Sequence, residues 1–231
     1  MKTGVLLQAR IGSTRLPGKA LLPLAGCTVL EHVLAAAKQI KTDIHVLVTD
    51  HRSMELFRPY TLAAGFELFE GPADDVLARY CIAAEFYQVD RVVRATGDNP
   101  LVSAKLANKN LVMHASHRAD LSRFKGAPLG TGVEVVETWA LQESAMRSAD
   151  PYEHEHITTY MLRRQDEYRV VELDVAEQYL FPEGSVTLDT EADYRHLSAI
   201  FSDLYRGNPI SIEELIVWLR KNRPAIPGRE G

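Results

Sequence analysis

The segment Gln8-Ala9-Arg10-Ile11-Gly12-Ser13-Thr14-Arg15-Leu16-Pro17-Gly18-Lys19 directly follows the short apolar run Val5-Leu6-Leu7. The apolar run predicts a buried strand, and the glycines, proline and hydroxyl residues behind it predict a loop. This basic loop, residues 8–19, concentrates the cations Arg10, Arg15 and Lys19 in a chain whose net charge is −5. Because backbone N–H groups and cationic side chains both satisfy phosphate oxygens, the basic loop is predicted to bind a polyphosphate.

The basic loop contains neither of two common phosphate-binding motifs. It lacks G-x-x-x-x-G-K-[ST], which excludes a Walker A loop, and G-x-G-x-x-G, which excludes a dinucleotide fingerprint. Its position still favours a ligand, because open α/β sheets bind ligands at the carboxyl ends of their strands. The alternative interpretation is a solvated turn whose cations face water.

Apolar strands alternate with helical segments through the first half of the chain, which predicts βαβ units and a largely parallel sheet. Thr28 with Glu31, and Ser211 with Glu214, form capping-box patterns at two helix starts. The predicted strands are 4–9, 44–49, 66–69, 91–95, 131–137, 169–173 and 186–188. The predicted helices are 28–40, 53–64, 72–87, 103–114, 139–147, 153–164, 191–205 and 211–221.

The length of 231 residues fits one large domain. We expect a single domain over residues 1–223, in which residues 115–165 form a small inserted lobe, and a flexible tail at 224–231. The polar stretch 115–130 is predicted to be an extended loop or an excursion at the sheet edge.

Composition excludes several classes of function. Hydrophobic residues make up 46% and charged residues 25%, as in ordinary globular proteins, and the negative net charge argues against nucleic-acid binding. No apolar run approaches the roughly 20 residues that span a bilayer, and the apolar N-terminus is too short for a signal peptide. We therefore expect a cytoplasmic protein without a membrane partner. Cys27 and Cys81 are too few for a disulfide framework and are predicted to be packing residues.

Asp98 stands in the turn Thr96-Gly97-Asp98-Asn99-Pro100, directly after a predicted strand. It should therefore project at the same sheet edge as the basic loop. A carboxylate beside a polyphosphate is repelled unless a cation lies between them, and Mg²⁺ binds through one or two carboxylates, phosphate oxygens and water. The alternative role for Asp98 is to cap a turn or the next helix.

Asp189, in Val186-Thr187-Leu188-Asp189-Thr190-Glu191, is the second candidate metal ligand. It also stands between a predicted strand and a predicted helix, so capping is again the alternative. Asp193 lies one turn into that helix and is interpreted as a residue that complements the helix dipole. The two strand-end carboxylates and the basic loop together predict a site for a metal and a triphosphate.

The run Glu153-His154-Glu155-His156 resembles a metal-binding pattern but lacks the H-E-x-x-H spacing. Two histidines two positions apart do not share a helix face, which argues against zinc. Glu155 and His156 are instead predicted to hydrogen-bond a substrate, and a surface position for the histidine is the alternative. Glu134, on an alternating strand, either contacts a sugar hydroxyl or faces solvent.

These segments together resemble the spore-coat polysaccharide biosynthesis protein F group, which is similar to the CMP-Kdo synthetases and acylneuraminate cytidylyltransferases. The motifs stand in collinear order over most of the chain. They are Q-A-R-x-G-S-T-R-L-P-G-K at 8–19, D-D-V-L-x-R at 74–79, R-x-T-G-D-x-P-L at 94–101, G-V-E-V at 132–135, E-H-I-T at 155–158 and T-L-D-T at 187–190.

The resemblance implies a nucleotide-diphospho-sugar transferase fold, a GT-A-like three-layer α/β/α sandwich with a mostly parallel sheet. It implies Mg²⁺-dependent transfer of CMP from CTP to an acidic sugar, with release of pyrophosphate, in surface polysaccharide or glycan biosynthesis, and it implies a homodimer. The 115–165 lobe would then lie on the acceptor side.

The predicted site follows from these patterns and the resemblance together. The catalytic candidates are Arg10, Arg15, Lys19 and Asp98, and the metal ligands are Asp98 and Asp189. The predicted sugar-binding residues are Glu134, Glu155 and His156. The predicted nucleotide-binding residues are Gln8, Ala9, Arg10, Gly12, Ser13, Thr14, Arg15, Lys19, Asp75, Thr96 and Gly97.

Three other functions stay open at the level of sequence. A glycosyltransferase of the same fold would use a nucleotide-sugar donor, although it typically shows Asp-x-Asp where this chain has Asp98-Asn99-Pro100. A uridylyl- or guanylyltransferase would differ only in the base. A catalytically silent nucleotide-binding subunit would keep the loop without turnover.

Overall fold

The first strand, β1 (Thr3–Gln8), contains the apolar run that precedes the basic loop, and both of its faces are buried. Val5 and Leu7 belong to one hydrophobic core, and Leu6 belongs to a second core on the opposite face. A strand buried on both faces is typical of a parallel sheet between two helical layers. The structure is a computed structural model, and it describes residues 1–222.

Eight further strands follow β1 along the described chain: β2 (Pro23–Leu24), β3 (Cys27–Thr28), β4 (Ile44–Thr49), β5 (Glu67–Glu70), β6 (Arg91–Thr96), β7 (Leu121–Lys125), β8 (Glu134–Glu137) and β9 (Val170–Asp174). The central sheet has seven strands in the order β5-β4-β1-β6-β8-β7-β9, and β2 and β3 form a separate antiparallel hairpin. All neighbouring pairs in the large sheet are parallel except those of β8, which runs antiparallel to β6 and β7.

Helices cover both faces of the sheet. The helices are α1 (Val29–Ala37), α2 (His51–Ala64), α3 (Val76–Phe86), α4 (Ala104–His117), α5 (Thr138–Arg147), α6 (Pro151–Glu155), α7 (Thr159–Leu162), α8 (Glu191–Leu204) and α9 (Ile212–Lys221). Buried residues of α1, α2, α4, α8 and α9 join one core, and those of α3, α5 and α7 join the other. The predicted three-layer α/β/α sandwich with a mostly parallel sheet is therefore confirmed.

Local sequence signals place several helix starts correctly. The capping boxes of Thr28 with Glu31 and of Ser211 with Glu214 are both present. A third capping box, which the sequence analysis did not identify, joins Thr190 to Asp193 at the start of α8. These boxes satisfy backbone N–H groups that have no partner within the helix, so they fix where each helix begins.

Three predicted elements are wrong in detail. The stretch 115–130 is not simply an extended loop, because it contains the end of α4 and the whole of β7. The predicted helix 153–164 is divided into α6 and α7, because the backbone leaves helical geometry at His156 (φ −105°, ψ 76°) and the next residue, Ile157, is fully buried. The predicted strand 186–188 is not part of the sheet, and an isolated bridge joins its preceding residue, Ser185, to Leu129.

The segment 115–165 contributes β7 and β8 to the central sheet and α5, α6 and α7 to its surroundings. Its assignment as an inserted lobe of a single domain stays a prediction. The predicted flexible tail at 224–231 lies outside the described residues. Over residues 1–222, no helix combines the length and apolar character that a membrane crossing requires.

Candidate functional site

The carboxyl ends of β1 and β6 open onto a cavity of about 510 Å³. Most of the predicted site residues line it, although their positions in the sequence are far apart. Those residues are Gln8, Ala9, Arg10, Gly12, Ser13, Thr14, Arg15, Lys19, Thr96, Gly97, Asp98, Glu155, His156 and Asp189. The cavity therefore has the place that ligands of open α/β sheets occupy.

Lys19 joins the two predicted metal ligands. Its Nζ donates to Oδ2 of Asp98 at 3.0 Å, to Oδ1 of Asp189 at 3.0 Å and to the carbonyl of Leu188 at 2.7 Å. The lysine side chain is only 15% exposed, so water screens these charges less than it would at an open surface. The basic loop and both aspartates thus converge on one point, as the sequence analysis expected.

The basic loop is folded on itself and braced from outside. The N–H of Gly18 donates to the carbonyl of Ile11 at 3.3 Å, and the N–H of Ile11 donates to Oγ of Ser53 at 2.9 Å. Gly18 adopts φ +70°, a left-handed conformation that glycine tolerates best, directly before the short 3₁₀ turn that begins at Lys19. Arg15 extends from the loop and donates to Oδ1 of Asp189 at 2.8 Å.

Gly97 brings Asp98 into the cavity by a close approach between strands. Its N–H donates to the carbonyl of Gln8 at 2.7 Å, and a Cβ at this position would lie 2.6 Å from the Cβ of Ala9. Only a residue without a side chain fits there. Asp98 does not cap the following helix, because Ser103 is the N-cap residue of α4.

Asp189 reaches the same point by a different route. The extended segment before it is hydrogen-bonded to the Asp98 turn, with the N–H of Leu188 donating to the carbonyl of Asp98 at 2.8 Å. Thr190 and Asp193 form the capping box of α8, which leaves the Asp189 side chain to face the cavity. The capping alternatives for both aspartates are therefore wrong.

The oxygen atoms around the Lys19 ammonium fit a hard cation. Two carboxylates and one backbone carbonyl surround this positive charge, and Mg²⁺ uses the same kinds of donor, completed by phosphate oxygens and water. No cluster of three histidine, cysteine, aspartate or glutamate side chains that could hold a metal exists within residues 1–222. A metal at this position would therefore depend on its substrate for further ligands.

The two halves of the Glu153-His154-Glu155-His156 run have different surroundings. Glu155 lines the cavity and lies 3.6 Å from the guanidinium of Arg10, and His156 also lines it. His154 instead contacts Asp75, with 2.8 Å between Nδ1 and Oδ2. Asp75 was predicted to bind nucleotide, but it is not among the cavity-lining residues and caps α3 through the N–H of Ala78.

Glu134 neither lines the cavity nor faces solvent. Its carboxylate accepts from Arg94 at 2.8 Å, from Thr158 at 3.0 Å and from Arg123 at 3.4 Å. Burial works against the charge of Arg94, but Glu134 outweighs it and raises the pKa of the guanidinium. The structure therefore does not bring Glu134 to the cavity with the other predicted sugar-binding residues, and its partner Arg94 lines the cavity instead.

The sequence analysis missed several cavity residues. Arg94 could have been found, because an arginine inside the apolar strand Val92-Val93-Arg94-Ala95 must be paired or functional. Asn99 had no comparable signal; its Oδ1 is buried without a partner in the structure. The other lining residues that were not predicted are Ala20, Leu129 and Thr187.

Comparison with known proteins gives consistent results. The family model described as cytidylyltransferase matches residues 5–206. Spore coat polysaccharide biosynthesis protein SpsF of Bacillus subtilis (strain 168) is 30% identical over 232 residues, which cover 97% of this chain and 97% of that protein.

Solved structures of other proteins are similar to this chain in fold. A cytidylyltransferase from Leptospira borgpetersenii serovar Hardjo-bovis superimposes with a TM-score of 0.89 at 28% identity, covering 99% of this chain and 100% of the other. CMP:2-keto-3-deoxy-manno-octonic acid synthetase complexed with CTP reaches a TM-score of 0.67 at 14% identity, covering 88% and 99%, and shares the fold. This chain therefore belongs to the cytidylyltransferase family, a family of nucleotidyltransferase enzymes with the nucleotide-diphospho-sugar transferase fold.

Proposed function

We propose that this enzyme transfers CMP from CTP to an acidic sugar and releases pyrophosphate, with Mg²⁺ as its cofactor. The observation that carries the proposal is the convergence of Asp98 and Asp189 on Lys19, beside the basic loop. This arrangement supports the proposal, because two carboxylates, the kind of group that binds hard cations, lie next to groups suited to a triphosphate. The SpsF relative is described as a spore coat polysaccharide biosynthesis protein, which supports a role in surface polysaccharide synthesis.

The basic loop would hold the triphosphate. Arg10 and Arg15 present guanidinium groups that bind phosphate oxygens in pairs, and the backbone amides around Gly12 to Thr14 supply further donors. Lys19 lies deeper and would neutralise the charge that develops on the departing pyrophosphate. In phosphoryl-type transfer the protein mainly positions the substrates and stabilises charge, so these residues supply what the reaction needs.

Asp98 and Asp189 would hold the Mg²⁺ ion. When bound, Mg²⁺ acts as a Lewis acid on phosphoryl oxygens. The two aspartates would also release Lys19 from its present ion pairs, which frees the ammonium to contact phosphate. The acceptor would then lie on the side of Glu155, His156 and Arg94, where its hydroxyl can approach the α-phosphorus and Arg94 can meet its carboxylate.

The choice of CTP is supported by the family and by the solved relative that is complexed with CTP. A homodimer stays a prediction from the resemblance, and a cytoplasmic location stays a prediction from the composition.

Pyrophosphate release tests the proposal directly. The purified chain is incubated with CTP, UTP or GTP, with and without Mg²⁺, against a panel of 3-deoxy-2-keto sugar acids and neutral sugars. We expect release with CTP, Mg²⁺ and one acidic sugar, and no release without the sugar. Stabilisation by CTP in a thermal-shift assay gives a separate measure of binding.

Each other result points to an alternative. Pyrophosphate release with UTP or GTP, and not with CTP, would show that the enzyme uses a nucleotide with a different base. Cleavage of a nucleotide-sugar donor without pyrophosphate release would indicate a glycosyltransferase. Stabilisation by nucleotide without turnover on any acceptor would indicate a silent subunit.

A further inference from the structure

Residues 153–158, the EHEHIT segment, contact two parts of the proposed site. Glu155 approaches Arg10 of the basic loop at 3.6 Å, and His156 lines the cavity. Thr158 donates to Glu134 at 3.0 Å, and Glu134 in turn holds Arg94. One short segment therefore connects the triphosphate side of the cavity with the acceptor side.

Regular helical hydrogen bonding holds only the first part of the EHEHIT segment, because α6 ends at Glu155, with the N–H of His156 donating to the carbonyl of Tyr152 at 2.9 Å, and α7 begins only at Thr159. Buried side chains provide further anchors. The carboxylate of Glu153 is 4% exposed and accepts from Ser148 at 2.5 Å and from Arg163 at 2.9 Å. Ile157 is fully buried. Of the three residues between these anchors, Glu155 and His156 line the cavity.

His154 supplies a third anchor. Its Nδ1 lies 2.8 Å from Oδ2 of Asp75, and its Nε2 lies 3.1 Å from the carbonyl of Ser148. A carboxylate oxygen and a carbonyl oxygen both accept hydrogen bonds, and Oδ1 of Asp75 receives the N–H of Ala78 at 2.8 Å. The two ring nitrogens of His154 donate to both partners only when both carry protons, so the two contacts favour the imidazolium.

We propose that His154 is a positioning residue for the acceptor side of the reaction. It fastens the EHEHIT segment to the N-terminus of α3 through Asp75, and this contact sets where Glu155 and His156 stand in the cavity. The inference rests on the proposed function and extends it by naming the contact that organises acceptor binding.

The charges around His154 favour the protonated ring. The hydrogen bond to the Ser148 carbonyl and the bond to Asp75 raise its pKa above the ordinary value, against partial burial. Glu153 also favours the cation, and Asp150, the N-cap residue of α6, interacts with it. On α3, burial raises the pKa of Cys81 to about 12, so this thiol beside Asp75 stays uncharged.

The sign of the pH dependence follows from a raised pKa. The contact between His154 and Asp75 is fully formed at pH values below the unfolded-state pKa of His154, about 6.5. It is lost as the pH rises through the higher folded-state pKa of His154. We therefore expect the KM for the acceptor to increase with pH, while the KM for CTP changes little. A purely structural role would shift stability without this separation of the two KM values.

Two variants test the contact, and a third serves as control. His154→Gln cannot donate from two separate nitrogens, and Asp75→Asn removes the charge while keeping a good N-cap for α3. Each should raise the acceptor KM about tenfold, the loss expected for one hydrogen bond to a charged group, and flatten its pH dependence. His51→Gln breaks an exposed histidine–carboxylate pair, His51 with Glu70 at 3.1 Å, and should leave both KM values unchanged.

Measurements without substrate separate this inference from the proposed function. In the free enzyme, hydrogen exchange at the amides of His156 and Thr159, corrected for the intrinsic rate, should be slower at pH 6 than at pH 8.5. In His154→Gln it should be fast at both. If no sugar is turned over but this exchange pattern is found, the proposed function fails and the fastening stands. Exchange that is identical in wild type and His154→Gln, or an acceptor KM unchanged in both variants, would overturn the inference.

Discussion

Strand β6 carries an ion cluster at each end, and the two clusters are built in opposite ways. At the amino end, Glu137 accepts from Arg91 at 2.7 Å and from His114 at 2.9 Å, so one carboxylate is shared by two donors. At the carboxyl end, one ammonium, Lys19, is shared by the carboxylates of Asp98 and Asp189.

The cluster at the amino end is closed in the sense that its side chains are paired within the protein, although Glu137 also lines a separate surface cavity of about 530 Å³. His114 is fully buried, and its Nδ1 lies 2.9 Å from Oγ of Ser122, whose hydroxyl donates to Asn110 at 2.7 Å. The amide of Asn110 donates to two backbone carbonyls, which fixes its orientation. Every polar group in this chain of contacts has a partner, and a satisfied network of this kind serves the fold.

The cluster at the carboxyl end opens onto the cavity. Asp98 and Asp189 are each about 30% exposed on their side chains, and Arg15 beside them is 66% exposed. Their charges are held near one another but remain accessible to a ligand. The difference teaches that one cluster is satisfied by partners within the protein, whereas the other leaves two carboxylates and a guanidinium accessible to a ligand.

The largest expected effect comes from Asp98→Asn, which would break the cluster at the carboxyl end. We expect turnover with Mg²⁺ to fall by about 10³-fold or more, because the change removes a charged ligand at the reacting phosphate. The melting temperature should stay nearly unchanged, because the cavity is open to water. Pyrophosphate release and thermal unfolding measure the two quantities.

Asp174→Asn, at an exposed end of β9, is the control for that change and should behave as wild type. An Asp98→Asn enzyme with wild-type turnover would refute the metal role.

Lys19→Met sharpens the comparison by removing the shared ammonium. Turnover should fall about 10²- to 10³-fold, the usual loss for one preorganised cation. The stabilisation by Mg²⁺ in a thermal-shift assay should become larger than in wild type, because the two carboxylates then lack the ammonium between them and only Asp189 keeps a cationic partner, Arg15. Lys41→Met, at an exposed lysine, should change neither quantity. A smaller Mg²⁺ effect in Lys19→Met would contradict this account of the ammonium.

Glu137→Gln tests the closed cluster, where stability rather than turnover should respond. We expect a loss of about 3 kcal/mol in the free energy of unfolding, because Arg91 is left without its buried partner. Urea denaturation measures this loss. Glu55→Gln, which breaks the exposed pair with Arg58 at 2.8 Å, should have little effect because water screens that pair.

The pH dependence of stability distinguishes the two clusters further. Burial opposes the charge of Glu137, but hydrogen bonds from His114 and Arg91 outweigh it and lower the pKa of the carboxyl. The contribution of Glu137 to the free energy of unfolding is therefore complete at pH values above its unfolded-state pKa of about 4.3. This contribution is lost as the pH falls through the lower folded-state pKa of Glu137. Acid unfolding curves of wild type and Glu137→Gln should converge at low pH. Curves that stay parallel would show that Glu137 does not titrate in this way.

Gly97→Ala should have the smallest effect. The added Cβ meets Ala9 at 2.6 Å, so we expect a loss of about 1–3 kcal/mol in unfolding free energy and a weaker response to Mg²⁺. Gly132→Ala, where an added Cβ meets nothing within 4 Å, should stay within about 0.5 kcal/mol of wild type. Equal losses in the two variants would argue against the close approach at Gly97.

The sequence predicted the local elements where local physics decides them. The alternation of strands and helices gave the fold class, and the capping boxes at Thr28 and Ser211 gave two helix starts. The predictions of a helix at 153–164 and of a strand at 186–188 were wrong, because tertiary contacts override the local pattern there. His156 leaves the helix next to a fully buried Ile157, and the 186–188 segment bonds to loops rather than to a strand of the sheet.

The sequence by itself determined that a cationic loop follows the first strand and that aspartates stand at turn positions. Only the tertiary structure decided that Lys19 meets Asp98, 79 residues away, and Asp189, 170 residues away. Periodicity and capping act over a few residues, so they can be read from the chain. Long-range convergence depends on parallel strands ending at one edge and on the bond between Leu188 and the Asp98 turn, and no local pattern encodes that bond.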